Sequence, residues 1–315
     1  MDTSKALAWA QAWLLENGYT ETLPRELVRE RPWSQVTRFH TDHGSLYLKQ
    51  VAPAFGDEAK LLVMLNRLGY TPITRTLAND DALICFLMTD SGTPLRNALK
   101  QNYRVDIFAG LMPQYAELQQ DATYYVNEML KLGLPDWRLA RWPELYADLI
   151  AKVTTHGLPA DTIAALQNLS PRVAEICQQI AAYNLPETLD HGDFQDNNVL
   201  IKVNKLVIND WSDAAITHPF FSLATWLDSA QRHHNIGPRD PRHAAMRDSY
   251  LNAWTEHGDL EKLQAAFALV RQLGPLHFCI SFLRVADCPG HDDYPHFNDY
   301  LLQGLNAFIA GQNSQ

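Results

Sequence analysis

Residues 189–211, LDHGDFQDNNVLIKVNKLVINDW, leave this chain few options, because acids and amides crowd directly against two short apolar runs. A polar loop beside buried strands costs desolvation unless something charged or hydrogen-bonding sits there. The runs VLIKV and LVIND read as a hairpin, and its end carries Asp210 back toward the loop. Within the loop, His191, Asp193 and Asn198 follow the spacing H-x-D-x-x-x-x-N, so two acids and an amide are expected to converge. Phosphoryl transfer from a nucleotide needs such a set: one carboxylate to orient and deprotonate an acceptor hydroxyl, an amide and a second carboxylate to hold Mg²⁺ against the phosphates. Oxygen ligands suit a hard cation, whose charge offsets the desolvation of the acids. Taken one at a time, Asp and Asn in a loop need be no more than turn formers and helix caps.

The rest of the chain changes character partway. An amphipathic helix opens it, followed by a hairpin in which WSQVTRFHT and SLYLKQV alternate around Asp42-His43-Gly44. GDEAKLLVMLNRLGY predicts a helix stopped by Gly69, and TPITRTLA and DALICFLM read as further strands. Beyond TDSGTP come long helical patterns such as RVDIFAGLMPQYAELQQDATYYVNEMLKLG and DTIAALQNLSPRVAEICQQIAAYN. A β-rich unit before a helical one predicts an α+β, two-lobed chain, divided into residues 1–90 and 91–315.

HGDFQDNNVLI followed by LVINDWSDA resembles the aminoglycoside phosphotransferase and choline kinase family, small-molecule kinases of the protein-kinase-like fold. The resemblance implies that Asp193 is the catalytic base, that Asn198 and Asp210 bind Mg²⁺, and that His191 braces the loop. A kinase-like chain must also supply a strand lysine and an acid on the next helix, and Lys49 in LYLKQV and Glu58 in GDEAKLLVML answer that demand. Alternation puts Tyr47 on the strand face of Lys49, with its ring against adenine. SLYLKQ and FLMTDSG are similar to the family's lysine strand and hinge, which gives the backbone of Thr89 and Ser91 to the adenine edge. The chain departs from the family in two places. No glycine-rich phosphate loop precedes the lysine strand, and Ser34 is the residue left to contact a β-phosphate. After the Asp-Trp hairpin, Ser222-Leu223-Ala224 replaces the family's Asp-Leu-Ala, so Asp213 or Ser222 is expected to take over the supporting role.

Gln195 stands where a protein kinase carries lysine, and the chain passes from Asp210 into HPFFSLATWL with no room for an activation loop. The reading is therefore an ATP- or GTP-dependent, Mg²⁺-requiring transfer to a hydroxyl of a small acceptor. A formal charge of −10 argues against a surface that tracks nucleic-acid phosphates, favours a cationic or neutral small substrate, and leans towards an amine-bearing acceptor. No uninterrupted apolar run suggests a membrane span, and Cys85, Cys177, Cys279 and Cys288 lack metal or disulfide spacing, which predicts buried free thiols in a cytoplasmic protein. Two rival classes keep their own signals. His233-His234 and His291-Asp292-Asp293 suggest a metal-dependent phosphohydrolase active without nucleotide. A non-catalytic nucleotide-binding regulator would keep the fold and yield no phosphorylated product.

Overall fold

The alternating residues 34–51 form the middle of a five-stranded antiparallel sheet. In this computed structural model, which describes residues 2–100, 102–291, 294 and 296–313, the strands are β1 (Glu21–Arg31), β2 (Ser34–Thr41), β3 (Gly44–Val51), β4 (Thr76–Asp80) and β5 (Cys85–Thr89). Their order is β1-β2-β3-β5-β4. The opening helix α1 (Thr3–Glu16), capped by the Asp2 side chain, lays Ala6, Ala10 and Leu14 on Phe39, Leu46, Leu48 and Leu87. Each leucine so buried contributes about 2 kcal/mol. Because Leu46 and Leu48 face this core, alternation turns Tyr47 and Lys49 to the other face of β3. Helix α2 (Asp57–Arg67) follows, with Asp57 and Glu58 in its first turn, where acids complement the helix dipole, and the chain leaves it through Gly69 at φ +85°.

Strand β1 has no counterpart in the sequence reading. It lies at the sheet edge, mostly exposed, and ETLPRELVRER carries charges and a proline where an alternating apolar face would have announced it. The strands expected over residues 71–78 and 81–88 also begin later. Asp80 accepts the N–H groups of Ala82 and Leu83 and, with Ile84 at φ +51°, turns residues 81–84 into the loop between β4 and β5.

Contacts group the chain into two units, one comprising Met1–Thr93, Leu200–Ser212 and Arg284–Tyr294, the other Pro94–Val199, Asp213–Leu283 and Pro295–Gln315. Past the short β6 (Thr93–Pro94) come α3 (Leu95–Leu99), α4 (Val105–Ala122), α5 (Val126–Leu132), α6 (Trp142–Thr155), α7 (Ala160–Asn168) and α8 (Ser170–Ala181). Then follow β7 (Thr188–Asp190), β8 (Val199–Lys202), β9 (Lys205–Ile208), β10 (Ala215–Thr217), α9 (Phe220–His234), α10 (Pro241–Leu251), α11 (Leu260–Phe282) and α12 (Phe297–Asn313). Each of the two long helical patterns is broken once: a 3₁₀ turn at Thr123–Tyr125 separates α4 from α5, and Pro171 opens α8 after α7 ends.

In the second unit β7 and β10 pair antiparallel, Asp190 opposite Ala215. The stretch Leu260–Asp287 is long and apolar enough to cross a membrane, although no uninterrupted apolar run marks it in the sequence. Half of its most apolar window is buried in the fold, as in a core helix, with Leu263, Phe267, Val270 and Leu273 inside. All four cysteines are buried and unpaired.

Candidate active site

The hairpin of β8 and β9 turns through Val203 and Asn204, both at positive φ (+48° and +61°), as a two-residue turn with the twist of its strands requires. In the first unit its end is fixed against residues 72–74, where Ile208 N–H donates to Pro72 O at 2.6 Å and Thr74 N–H to Ile208 O at 3.1 Å. Asp210 comes two residues later in the left-handed region, φ +64°, a conformation an Asp tolerates at a cost. Arg284 secures the next step, donating to Ser212 O at 2.9 Å and to Ala54 O at 2.6 Å while covering the Phe55 ring at 4.6 Å.

So placed, Asp210 Oδ1 accepts from Lys49 Nζ at 2.6 Å and from Ser212 Oγ at 3.1 Å. Lys49 Nζ also donates to Glu58 Oε1 at 2.8 Å, and that oxygen takes the Trp211 N–H at 3.1 Å. Glu58 Oε2 is as near, 2.7 Å, but out of line for a hydrogen bond. Lys49 and Glu58 are 5% and 2% exposed, so the ammonium and one acid are buried, while Asp210 stays partly exposed. Burial works against the charged lysine, but Asp210 and Glu58 outweigh it and raise its pKa. Burial also pushes Glu58 up; Lys49 pulls it back and Asp210 adds to the rise. Arg29 Nη1 lies 3.4 Å from the outer oxygen of Asp210.

The loop of the second unit is built on Asp190, which is fully buried at the end of β7. Asp190 accepts the Ser222 hydroxyl and the Gly192 N–H, while His277 Nε2 stands 3.2 Å away, out of line. Tyr115, its hydroxyl 2.7 Å from Ser222 Oγ, accepts the His191 N–H and stacks on Phe194. Burial, then the charge of Asp190, drives the Tyr115 pKa far up, so it stays a neutral hydroxyl. Gly192 has φ +77°, and a Cβ there would fall 2.1 Å from Asp213 O. Asp213 itself accepts the Ser281 hydroxyl at 2.6 Å. Both residues expected to replace the family's helix-start acid thus lie around this loop.

Asp193 is held from several sides. Its N–H donates to His191 Nδ1 at 3.3 Å, Oδ1 accepts from Gln195 Nε2 at 2.6 Å, and Oδ2 accepts from Asn198 Nδ2 at 2.7 Å. Asn198 Nδ2 also reaches Asp193 O at 2.9 Å. Since both partners are acceptors, the Asn198 amide has one permitted orientation, and among the described residues no donor reaches its Oδ1. The Asn198 amide oxygen and the Asp210 carboxylate are each, taken singly, oxygen donors of the kind Mg²⁺ takes.

Of the remaining expected residues, Tyr47 lies under the Arg38 guanidinium at 5.8 Å, and Ser34 is buried at the start of β2. Thr89 ends β5 with its N–H donated to Arg75 O at 3.0 Å, and Ser91 is buried two residues on. Among the described residues no three His, Cys, Asp or Glu side chains cluster as metal ligands. His234 is bound to Asp196 at 2.5 Å and His233 is exposed; Asp292 and Asp293 lie outside the described residues.

Arg29, Ser212 and Arg284 had drawn no attention in the sequence. Arg29 meets Asp210 from far along the chain and Arg284 donates to backbone atoms, neither of which leaves a local pattern, while Ser212, two residues from Asp210, is a common loop residue with no distinctive spacing.

Residues 30–265 match the model of the phosphotransferase enzyme family. Comparison with curated proteins returns no sequence match. Among solved structures, the chain resembles the GDP and kanamycin complex of APH(2")-IIia, with a TM-score of 0.63 and 15% identity over 98% of this chain and 99% of that one. It also resembles a choline/ethanolamine kinase family protein from Mesorhizobium loti, TM-score 0.65 and 15% identity, covering 99% and 95% of the two chains. For the choline kinase LicA of Streptococcus pneumoniae the TM-score is 0.64 and identity 13%, with both chains fully covered. At such identities the likeness establishes the kinase-like fold.

Proposed function

The chain belongs to the phosphotransferase enzyme family, and from that premise we propose that it is a kinase moving the γ-phosphate of ATP or GTP to a hydroxyl of a small, amine-bearing molecule. The observation that carries the reading is the buried ammonium of Lys49, 2.8 Å from Glu58 and 2.6 Å from Asp210. An ammonium held between two carboxylates is set to meet phosphate oxygens, and a third acid, Asp193, on a hydrogen-bonded loop is left for the acceptor.

In this reading Lys49 neutralises the α- and β-phosphates and Glu58 keeps it aimed. Tyr47 lies against the base, Ser91 with Thr89 meets its edge, and the Ser34 hydroxyl contacts a β-phosphate. Asn198 and Asp210 would hold Mg²⁺, which would supply neutralisation of phosphate charge. Asp193 orients the acceptor hydroxyl and takes its proton, with His191 bracing the loop from behind. The GDP of the APH(2")-IIia structure keeps GTP beside ATP as a donor. Kanamycin, choline and ethanolamine, named for three neighbours, all carry nitrogen, in keeping with the formal charge of −10. Four unpaired, buried thiols suit a reducing cytoplasm.

The test is incubation with Mg–ATP or Mg–GTP and a panel of aminoglycosides, amino alcohols and sugars, read by mass spectrometry. One acceptor should gain a single phosphoryl group. Nucleotide binding with no product across the panel would favour the regulator instead, and phosphoester cleavage without nucleotide the hydrolase.

A further inference from the structure

Gln195, in the position where protein kinases carry lysine, is not a neutral replacement. Its Nε2 donates to Asp193 Oδ1 at 2.6 Å, and its Oε1 accepts from Arg96 Nη2 at 2.5 Å. A guanidinium can only donate and an ionised carboxylate can only accept. The amide between them is therefore locked in one orientation, oxygen toward Arg96 and nitrogen toward Asp193. A lysine there could not accept from Arg96.

Arg96 is itself fixed. It sits in the first turn of α3, and its backbone N–H donates to Asp196 O at 3.0 Å. Its Nε and Nη2 reach Asp196 Oδ1 at 2.9 and 2.8 Å, and Nη2 also reaches Ser229 Oγ at 3.2 Å. The other oxygen of Asp196 is 2.5 Å from His234 Nε2. Burial alone would raise Asp196, but Arg96 and His234 hold its carboxyl below the usual range, so the anchor remains ionised. Two residues of α9, Ser229 and His234, thus share with α3 the task of holding Asp196.

We propose that Arg96 and Gln195 form a positioning relay that fixes the rotamer of Asp193, an inference that rests on the phosphotransferase reading. Asp193 carries two oxygens on two rotatable bonds; Asn198 holds one and Gln195 the other, and Arg96 keeps Gln195 from turning away. A base misplaced by about 1 Å can cost about 100-fold in rate, so the relay acts on turnover and leaves nucleotide affinity alone.

Two substitutions separate positioning from packing. Gln195→Glu keeps the shape and the Arg96 contact but sets an acceptor against Asp193, whereas Gln195→Met removes both polar contacts. Turnover is read as ADP release from Mg–ATP with the best acceptor of the panel, or with water where none exceeds it. We expect Gln195→Met to lower kcat about 10-fold and Gln195→Glu about 100-fold, with KM for Mg–ATP unchanged and the Tm of Gln195→Glu retained. A packing role predicts the reverse order, Gln195→Met being the worse. Independently, the Gln195 side-chain amide protons, assigned by their loss in Gln195→Met, should move upfield in the NMR spectrum of Asp193→Ala. An active wild type with indifferent Gln195 variants, or an unmoved amide signal, overturns the relay alone. A wild type that releases neither ADP from Mg–ATP nor GDP from Mg–GTP under any condition overturns the phosphotransferase reading and the relay with it.

Discussion

Lys49 is where burial and charge meet most sharply. Taking the Lys49 ammonium and the Glu58 carboxylate out of water is tolerable only because each answers the other, with the partly exposed Asp210 beside them, and removing one member of a buried pair costs about 3–5 kcal/mol. Lys49→Met should therefore both destabilise the protein and weaken Mg–ATP binding. The two effects are separable. In Lys49→Met/Glu58→Gln no uncompensated buried carboxylate remains beside Trp211, while Asp210 keeps Ser212 and Arg29. The double variant should regain most of the lost stability in urea unfolding and none of the lost affinity in calorimetric titration. Recovery of both would mean that Lys49 serves the fold and not the nucleotide. Lys49 was legible in the sequence because strand alternation and a helix start eight or nine residues later are local patterns. Arg96 was not, since its carboxylate partner stands one hundred residues on.

Elements were legible in proportion to how regularly they bury one face. Strand β3 and helix α2, with Leu46 and Leu48 or Leu61, Leu62 and Leu65 inside, declared themselves. The edge strand β1 buries almost nothing and did not. In the loop after β7 the backbone matters more than the side chains, and Gly192 is its tightest point. Alanine there meets both a left-handed backbone and the Asp213 carbonyl, whereas Gly157, at φ +71°, has nothing within 4 Å of its would-be Cβ. Gly157→Ala should cost only strain, about 1 kcal/mol. Gly192→Ala should cost about 2 kcal/mol or more and lower turnover at least 10-fold, because Asp193 follows directly. Equal losses in unfolding experiments on the two variants would show that the loop yields to the clash.

The chain as a path explains why its chemistry is dispersed. The first unit reclaims residues 200–212 long after the sequence has left it, and so Asp210 is packed with Lys49 and Glu58. Asp193 and Asn198, only a few residues earlier, are held by the second unit. The motif spacing announced all of these residues, but spacing alone carries no information on which unit would hold each. On the proposed reading the duties are separate, nucleotide for Lys49, Glu58 and Asp210, and acceptor for Asp193. Those duties can be read most directly by titrating Mg–ATP into Asp193→Ala and Asp210→Ala and following turnover in the same samples. Asp193→Ala should bind within about 2-fold of the unsubstituted protein while losing about 100-fold or more in turnover, and Asp210→Ala should lose the binding itself. If both variants lose affinity and turnover to the same extent, the two acids share one duty and the assignment fails.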